Sequence, residues 1–284
     1  MGQESFEQAE SALLKNAVIR ALTKANKSAA DVDFIMTGDL LNQCTGSCFA
    51  LKDLEIAFIG MYGACSTMAL TLCNSAMLID AGAHCCVAGA SSERQFRYPL
   101  EYGGQRPPTS QWTVTGAGAA VVVKNGNGPK IKAIHIGTIT DLGIKDANNM
   151  GAAMAPAAAK TISDFLDDTQ TAADDYDLIL TGDLGYTGST LLHEVLALEY
   201  HKNIKSVHND CGLMIYDLKE QDVNSGGSGC GCSASVLCSH IMNKINDGKY
   251  NRVLFVATGA LMSPTSAKQG QPIPGIAHAV LIEN

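Results

Sequence analysis

The chain has 284 residues, 46% hydrophobic and only 17% charged, with a formal net charge of −8. That balance excludes a disordered chain, and the acidic excess excludes nucleic acid or anionic membrane held through bulk charge. No apolar run reaches the roughly 18 residues of a membrane span, so no transmembrane segment is expected. The opening Met1-Gly2-Gln3-Glu4 lacks the basic and then apolar regions of an export signal.

Residues 5–25 read as an amphipathic helix. Phe6, Ala9, Leu13, Ala17 and Ala21 form an apolar stripe, broadened by Leu14, Val18 and Leu22. Phe34 to Met36 is a short buried strand ending in the turn Thr37-Gly38-Asp39-Leu40. Residues 56–61 read as a strand, and 68–81 as a buried helix. The apolar strand 85–90 follows, and a strand over 119–123 closes the first half.

The chain then repeats itself. A strand over 131–136 opens the second half and has no counterpart near Met1, so the first half lacks an opening strand. A helix is expected over 156–166, with Pro156 in its first turn. Next come an acidic turn, the strand 178–180 and Thr181-Gly182-Asp183-Leu184, nearly the same text as 28–40. Gly229-Cys230-Gly231-Cys232-Ser233 opens a helix over 234–245 that Gly248 stops. Strands over 253–257 and 279–282 close this half. Two copies of this string mark an internal duplication. Strands alternating with helices imply an α/β fold with mainly parallel sheets. The halves are 1–128 and 129–284, and pseudo-symmetry brings the helix starts at Cys65 and at Cys230/Cys232 to the shared interface.

Cys65 lies at a strand-to-helix turn, where free helix N–H groups are expected to favour a thiolate or hold an anion. Both a nucleophile and a ligand-pocket residue fit that position. The ten cysteines carry no paired spacing of a structural zinc site, so no metal and no cofactor are expected. Asp39 and Asp183 occupy equivalent turns, and each caps a turn or faces a ligand. His208 and His278 are candidate bases outside any matching motif, and His278 approaches the interface; His84, His135, His193, His201 and His240 read as structural or surface residues. Gly226-Gly227-Ser228-Gly229 lacks the lysine and preceding strand of a phosphate loop, which excludes nucleotide binding.

The two-half arrangement resembles the thiolase-like superfamily, with buried central helices between mainly parallel sheets and a cysteine at the first buried helix. A closer likeness lies in Thr37-Gly38-Asp39-Leu40-Leu41-Asn42-Gln43, Gly63-Ala64-Cys65-Ser66-Thr67, Glu93-Arg94-Gln95-Phe96-Arg97-Tyr98-Pro99 and Glu101-Tyr102-Gly103-Gly104-Gln105. It continues in Ala153-Met154-Ala155-Pro156, Asp210-Cys211-Gly212 and Gly226-Gly227-Ser228-Gly229-Cys230. These strings resemble the stage V sporulation protein AD family over nearly the whole chain.

The resemblance implies a sporulation protein that binds dipicolinic acid, or its calcium chelate, for uptake into the forming spore. It implies a place in the forespore or spore, peripheral to the inner membrane. The implied partners are other stage V sporulation A membrane proteins and a second copy of the chain, since such folds are commonly homodimers. A condensing enzyme of this fold needs oxyanion donors, usually histidine with asparagine or a second histidine. Gly182, Asp183 and Cys230 stand where those donors are expected, so a non-catalytic binding protein is the primary reading. The alternative is an acyl transferase or condensing enzyme using Cys65. Arg94 and Arg97 suit the two ligand carboxylates, and Tyr98 suits the pyridine face. The expected ligand-binding set is Cys65, Arg94, Arg97, Tyr98, Asp39, Asp183, Cys230 and His278.

Overall fold

The computed structural model describes residues 2–93 and 106–284. Arg94, Arg97 and Tyr98 lie outside the described residues. In chain order the first half holds α1 (Phe6–Lys24), β1 (Phe34–Gly38), α2 (Thr45–Leu51), β2 (Phe58–Gly60), α3 (Thr67–Asp80), β3 (Cys85–Ser92), β4 (Trp112–Thr113) and β5 (Gly116–Val123). The second holds β6 (Lys130–Ile136), α4 (Met150–Asp168), β7 (Leu178–Thr181), α5 (Gly185–Glu199), β8 (His208–Asp210), α6 (Cys211–Met214) and β9 (Gly227–Ser228). It ends with α7 (Cys230–Ser235), α8 (Met242–Asn246), β10 (Arg252–Ala260), α9 (Pro264–Lys268) and β11 (Gly275–Glu283).

Two sheets carry the architecture. One has the order β2-β1-β3-β5, the other β6-β11-β10-β7-β8. β1 runs parallel to β2 and β3, and β7 parallel to β10 and β8, while β5 and β11 turn antiparallel. β1 and β7 therefore hold equivalent places, and their Thr-Gly-Asp turns leave the same end of each sheet. β6 has no counterpart among the described residues of the first half.

Between the sheets lie α3 and α7. Their Met68, Leu72, Cys73, Cys230, Cys232 and Ala234 share one core with Ala88 and Ala90 of β3 and with Phe255 and Ala257 of β10. The outer face of the first sheet is covered by α1, through Leu14, Val18 and Leu22 packed on Ile35 and Val87. Ile162, Phe165, Leu192 and Leu196, from α4 and α5, cover the second sheet. Five layers result, helix, sheet, helix, sheet, helix. Burial on both faces explains the near-continuous apolar strands.

Three boundaries differ from the sequence expectation. β2 is three residues long, and Phe58 and Ile59 remain 38% and 39% exposed, because it is an edge strand covered on neither face. α4 starts at Met150, capped by Asn149 Oδ1 accepting from Ala152 N at 3.3 Å. Pro156 is thus interior, at the cost of the donor that the Ala152 carbonyl would otherwise receive. The helix expected from 234 begins at Cys230 and runs through a π segment, Val236–Ile241, to Asn246. Its end matches expectation. Gly248 adopts φ +70° and donates to Ile245 O, while Lys249 N donates to Lys244 O, a Schellman closure.

Candidate functional site: the seam between the halves

Cys65 sits in the turn between β2 and α3 and is 8% exposed. The turn is tight. Ala64 adopts a left-handed φ of 50°, a conformation costly for a residue with a Cβ. Ser66 N donates to Gly63 O at 3.0 Å and Thr67 N to Ala64 O at 3.3 Å. The Ser66 and Thr67 hydroxyls donate to the same two carbonyls. These two N–H groups, expected to point free at the sulfur, are therefore consumed by the turn that presents it. Gly259 of β10 presses on this turn from the other half, and a Cβ there would stand 2.4 Å from Gly63 O.

Asp183 meets Cys65 across the seam. The Cys65 thiol lies near enough to its carboxylate to hold the Asp183 pKa down. Asp183 Oδ2 accepts from Ser228 Oγ at 3.0 Å and from Gly229 N at 2.8 Å, and Oδ1 from Thr258 Oγ1 at 3.0 Å. It is fully buried, which raises its pKa against the pull of these donors. Gly229 caps α7, so the chain's own carboxylate fills the anion-binding end of that helix.

Cys230 is fully buried and donates to Ser91 O at 2.9 Å. Burial pushes its thiol well up, and Cys65, Glu10, Asp39 and Asp183 all add to that. Asp39 caps its turn, Oδ1 accepting from Leu41 N at 2.9 Å and Oδ2 from Ser47 N at 2.7 Å. Cys65, Cys230, Asp39 and Asp183 are thus brought together. His278 is placed elsewhere. Its Nδ1 accepts from Gly137 N at 3.2 Å, and burial, with His135 beside it, lowers its pKa to about 4.

Three buried groups were missed by the sequence reading. Glu10, 1% exposed, accepts from Ser91 Oγ at 2.9 Å. Burial and then Asp39 push its carboxyl up to about 7. It stands in line with Leu14, Val18 and Leu22, and a glutamate at that spacing was the available signal. Gln111 Nε2 ties the halves by donating to Asp183 O at 2.6 Å and Gly227 O at 2.8 Å. Asp210, fully buried, accepts from Leu184 N, Gly185 N and Gly212 N.

No group of three or more His, Cys, Asp or Glu among the described residues forms a metal centre. Arg106, the neighbour of the expected arginine pair, is committed elsewhere. It pairs with Asp222 at 2.7 Å and stacks on Trp112 at 4.0 Å. A separate groove of about 220 Å³, lined by Met214, Ile215, Ser235, Val236, Ser239 and His240, shares none of the seam residues.

Two duplicated sheets around paired central helices, with a cysteine at the head of the first, define a thiolase-like fold. Solved structures of this kind match the whole chain. 3-Oxoacyl-[acyl-carrier-protein] synthase III from Aquifex aeolicus VF5 gives a TM-score of 0.62 at 13% identity, covering 100% of this chain and 86% of that one. The tetronic acid condensing enzyme AbyA1 gives 0.63 at 16%, covering 99% and 89%. A variant of OleA from Xanthomonas campestris gives 0.64 at 11%, covering 100% and 83%. Within that fold the chain belongs to the stage V sporulation protein AD family, whose model matches residues 1–283. The stage V sporulation protein AD of Bacillus subtilis (strain 168) is 47% identical over 287 residues, covering 99% of this chain and 84% of the relative.

Proposed function

We propose that this sporulation protein binds dipicolinic acid, free or as its calcium chelate, in the cleft above Cys65 and makes no covalent bond to it. One observation carries the reading. Asp183 stands where an oxyanion donor is expected and lies beside the Cys65 thiol, which interacts with its carboxylate. A carboxylate there opposes both a thiolate and a developing oxyanion. With the Ser66 and Thr67 N–H groups spent in the turn, the cleft floor offers an anion little. Glu10, Asp39 and Asp183 make that floor acidic. The ligand's carboxylates then need other partners, and the chemistry that suits them is that of Arg94 and Arg97, with Tyr98 suiting the ring, or of calcium carried on the chelate.

The role proposed is uptake into the developing spore, at the inner membrane and alongside other stage V sporulation A membrane proteins. No helix among the described residues is long and apolar enough to cross a membrane. The edge strand β2, with Phe58, Ile59 and the half-exposed Tyr62 beside it, supports a homodimer. The second reading, an acyl transferase using Cys65, is favoured by the condensing enzymes among the structural relatives. Calorimetry with dipicolinate, on the wild type and on Arg94→Ala and Cys65→Ala, tests the proposal. Binding weakened by Arg94→Ala supports it, and no heat from folded protein refutes it. Intact-mass detection of an acyl-enzyme after incubation with acyl thioesters would return the chemistry to Cys65.

A further inference from the structure

Near Asp183, whose charge acts on Asp210, a line of hydrogen bonds runs from the protein surface to a buried carboxylate. His193 of α5 is partly exposed, and its Nε2 lies 2.9 Å from His208 Nδ1. His208 Nε2 lies 2.9 Å from Thr181 Oγ1, and Thr181 Oγ1 donates to Asp210 Oδ2 at 2.6 Å. Thr181 and Asp210 are both fully buried. The two imidazoles meet edge to face, 4.8 Å between centroids and 87° between planes.

The polarity of the line is self-consistent. With Asp210 ionised, Thr181 gives its hydrogen to Asp210, His208 Nε2–H gives to Thr181, and His193 Nε2–H gives to His208 Nδ1. A proton taken up at His193 from water passes inward by one shift along each bond. It ends on Asp210 Oδ2, and every donor in the line is then reversed. Nothing is oxidised or reduced, and the co-reactant is solvent. Each neutral imidazole can take on one nitrogen and release from the other.

We propose that His193, His208 and Thr181 form a proton relay that loads and unloads Asp210, setting the charge behind the cleft floor. The groups facing this route fit such a role. Burial lowers His208 to about 3, helped by His193, while burial and Lys205 lower His193, so both rings are neutral near pH 7. Burial and the charge of Asp183 push Asp210 up to about 7, against the donors that hold its anion. The remaining titratable neighbours, Cys211 and Cys232, are fully buried thiols pushed well up, and they stay protonated. The inference stands whether or not dipicolinate is the ligand, because the route is a property of the free protein.

Infrared difference spectra of the whole chain between pH about 5 and about 9 test it. In a Glu10→Gln background, which removes the other buried carboxyl pushed up to about 7, the expected result is a carboxylic acid C=O band that titrates near neutrality and is absent once Asp210→Asn is added. After a pH jump, that band relaxes slower by on the order of tenfold or more in Thr181→Val and in His208→Phe, and at near wild-type rate in Thr181→Ser. Wild-type relaxation in both Thr181→Val and His208→Phe overturns the relay. So does a band that titrates near neutrality undiminished when Asp210→Asn is added to Glu10→Gln, or a Thr181→Ser variant as slow as the valine one.

Discussion

The thiol of Cys65 and the carboxylate of Asp183 lie side by side across the boundary between the two halves, near enough for the thiol to hold the Asp183 pKa down. A carboxyl group beside the sulfur does not favour a thiolate, whereas a nucleophilic cysteine needs a neighbour that takes the proton or is itself positive. The pair also anchors the fold, since Asp183 collects Ser228 of β9, Gly229 at the head of α7 and Thr258 of β10.

Asp183→Ala removes the shared acceptor of Gly229 N and the Thr258 hydroxyl. A loss of roughly 2–4 kcal/mol in denaturant unfolding is expected. A loss within about 0.5 kcal/mol would show that the donors find other acceptors.

Thiol alkylation followed by peptide mass mapping should label Cys48 first. Cys48 is exposed, whereas Cys65 is buried beside Asp183. Cys65 is expected to react at least about tenfold more slowly than Cys48 in the native protein and as fast after unfolding. A fast native reaction at Cys65 would mark it as a thiolate.

Binding of a dianion should weaken as pH rises. Glu10 and Asp210 are both pushed up to about 7. Below that pH they are neutral, and above it each adds a negative charge behind the cleft. Dipicolinate affinity is expected to fall by roughly threefold to tenfold between pH about 6 and about 8. Glu10→Gln and Asp210→Asn should flatten the profile, and a wild-type affinity rising with pH would contradict it. Stability follows the same sign. Raised carboxyl pKa values favour the folded state most when the groups are protonated. The melting temperature should therefore fall as pH climbs from the unfolded carboxyl range, about 4, through 7.

Gly259→Ala should be severe although the change is one methyl group. The new Cβ meets the Gly63 carbonyl at 2.4 Å, and backbone cannot move aside as a side chain can. A cost of about 1–3 kcal/mol is expected. Gly82→Ala is a useful contrast, since its Cβ meets nothing within 4 Å and only its φ of +117° is strained.

Much of this was readable in the text of the chain. The doubled Thr-Gly-Asp-Leu strings fall at the ends of β1 and β7, and Cys65 and Cys230 head the two central helices. Local signals sufficed there, because turn residues and apolar runs mark their own places. Pro156 misled, since proline is read as a helix start and Asn149 had already capped α4 about two turns earlier. His193 was passed over as a structural or surface residue, and His208 was read only as a candidate base for Cys65. Their meaning lies in a contact between α5 and β8 that no spacing encodes. His278 pointed toward the interface in sequence, but the register of β11 sends it to Gly137.

The contact of Gly259 with the Cys65 turn has one more consequence. Two segments far apart in the chain share a single van der Waals boundary, so neither duplicate could drift in shape without the other following. Recombining halves from two homologues would therefore fail first at this seam, as loose or jammed docking, before any ligand-contacting residue had changed.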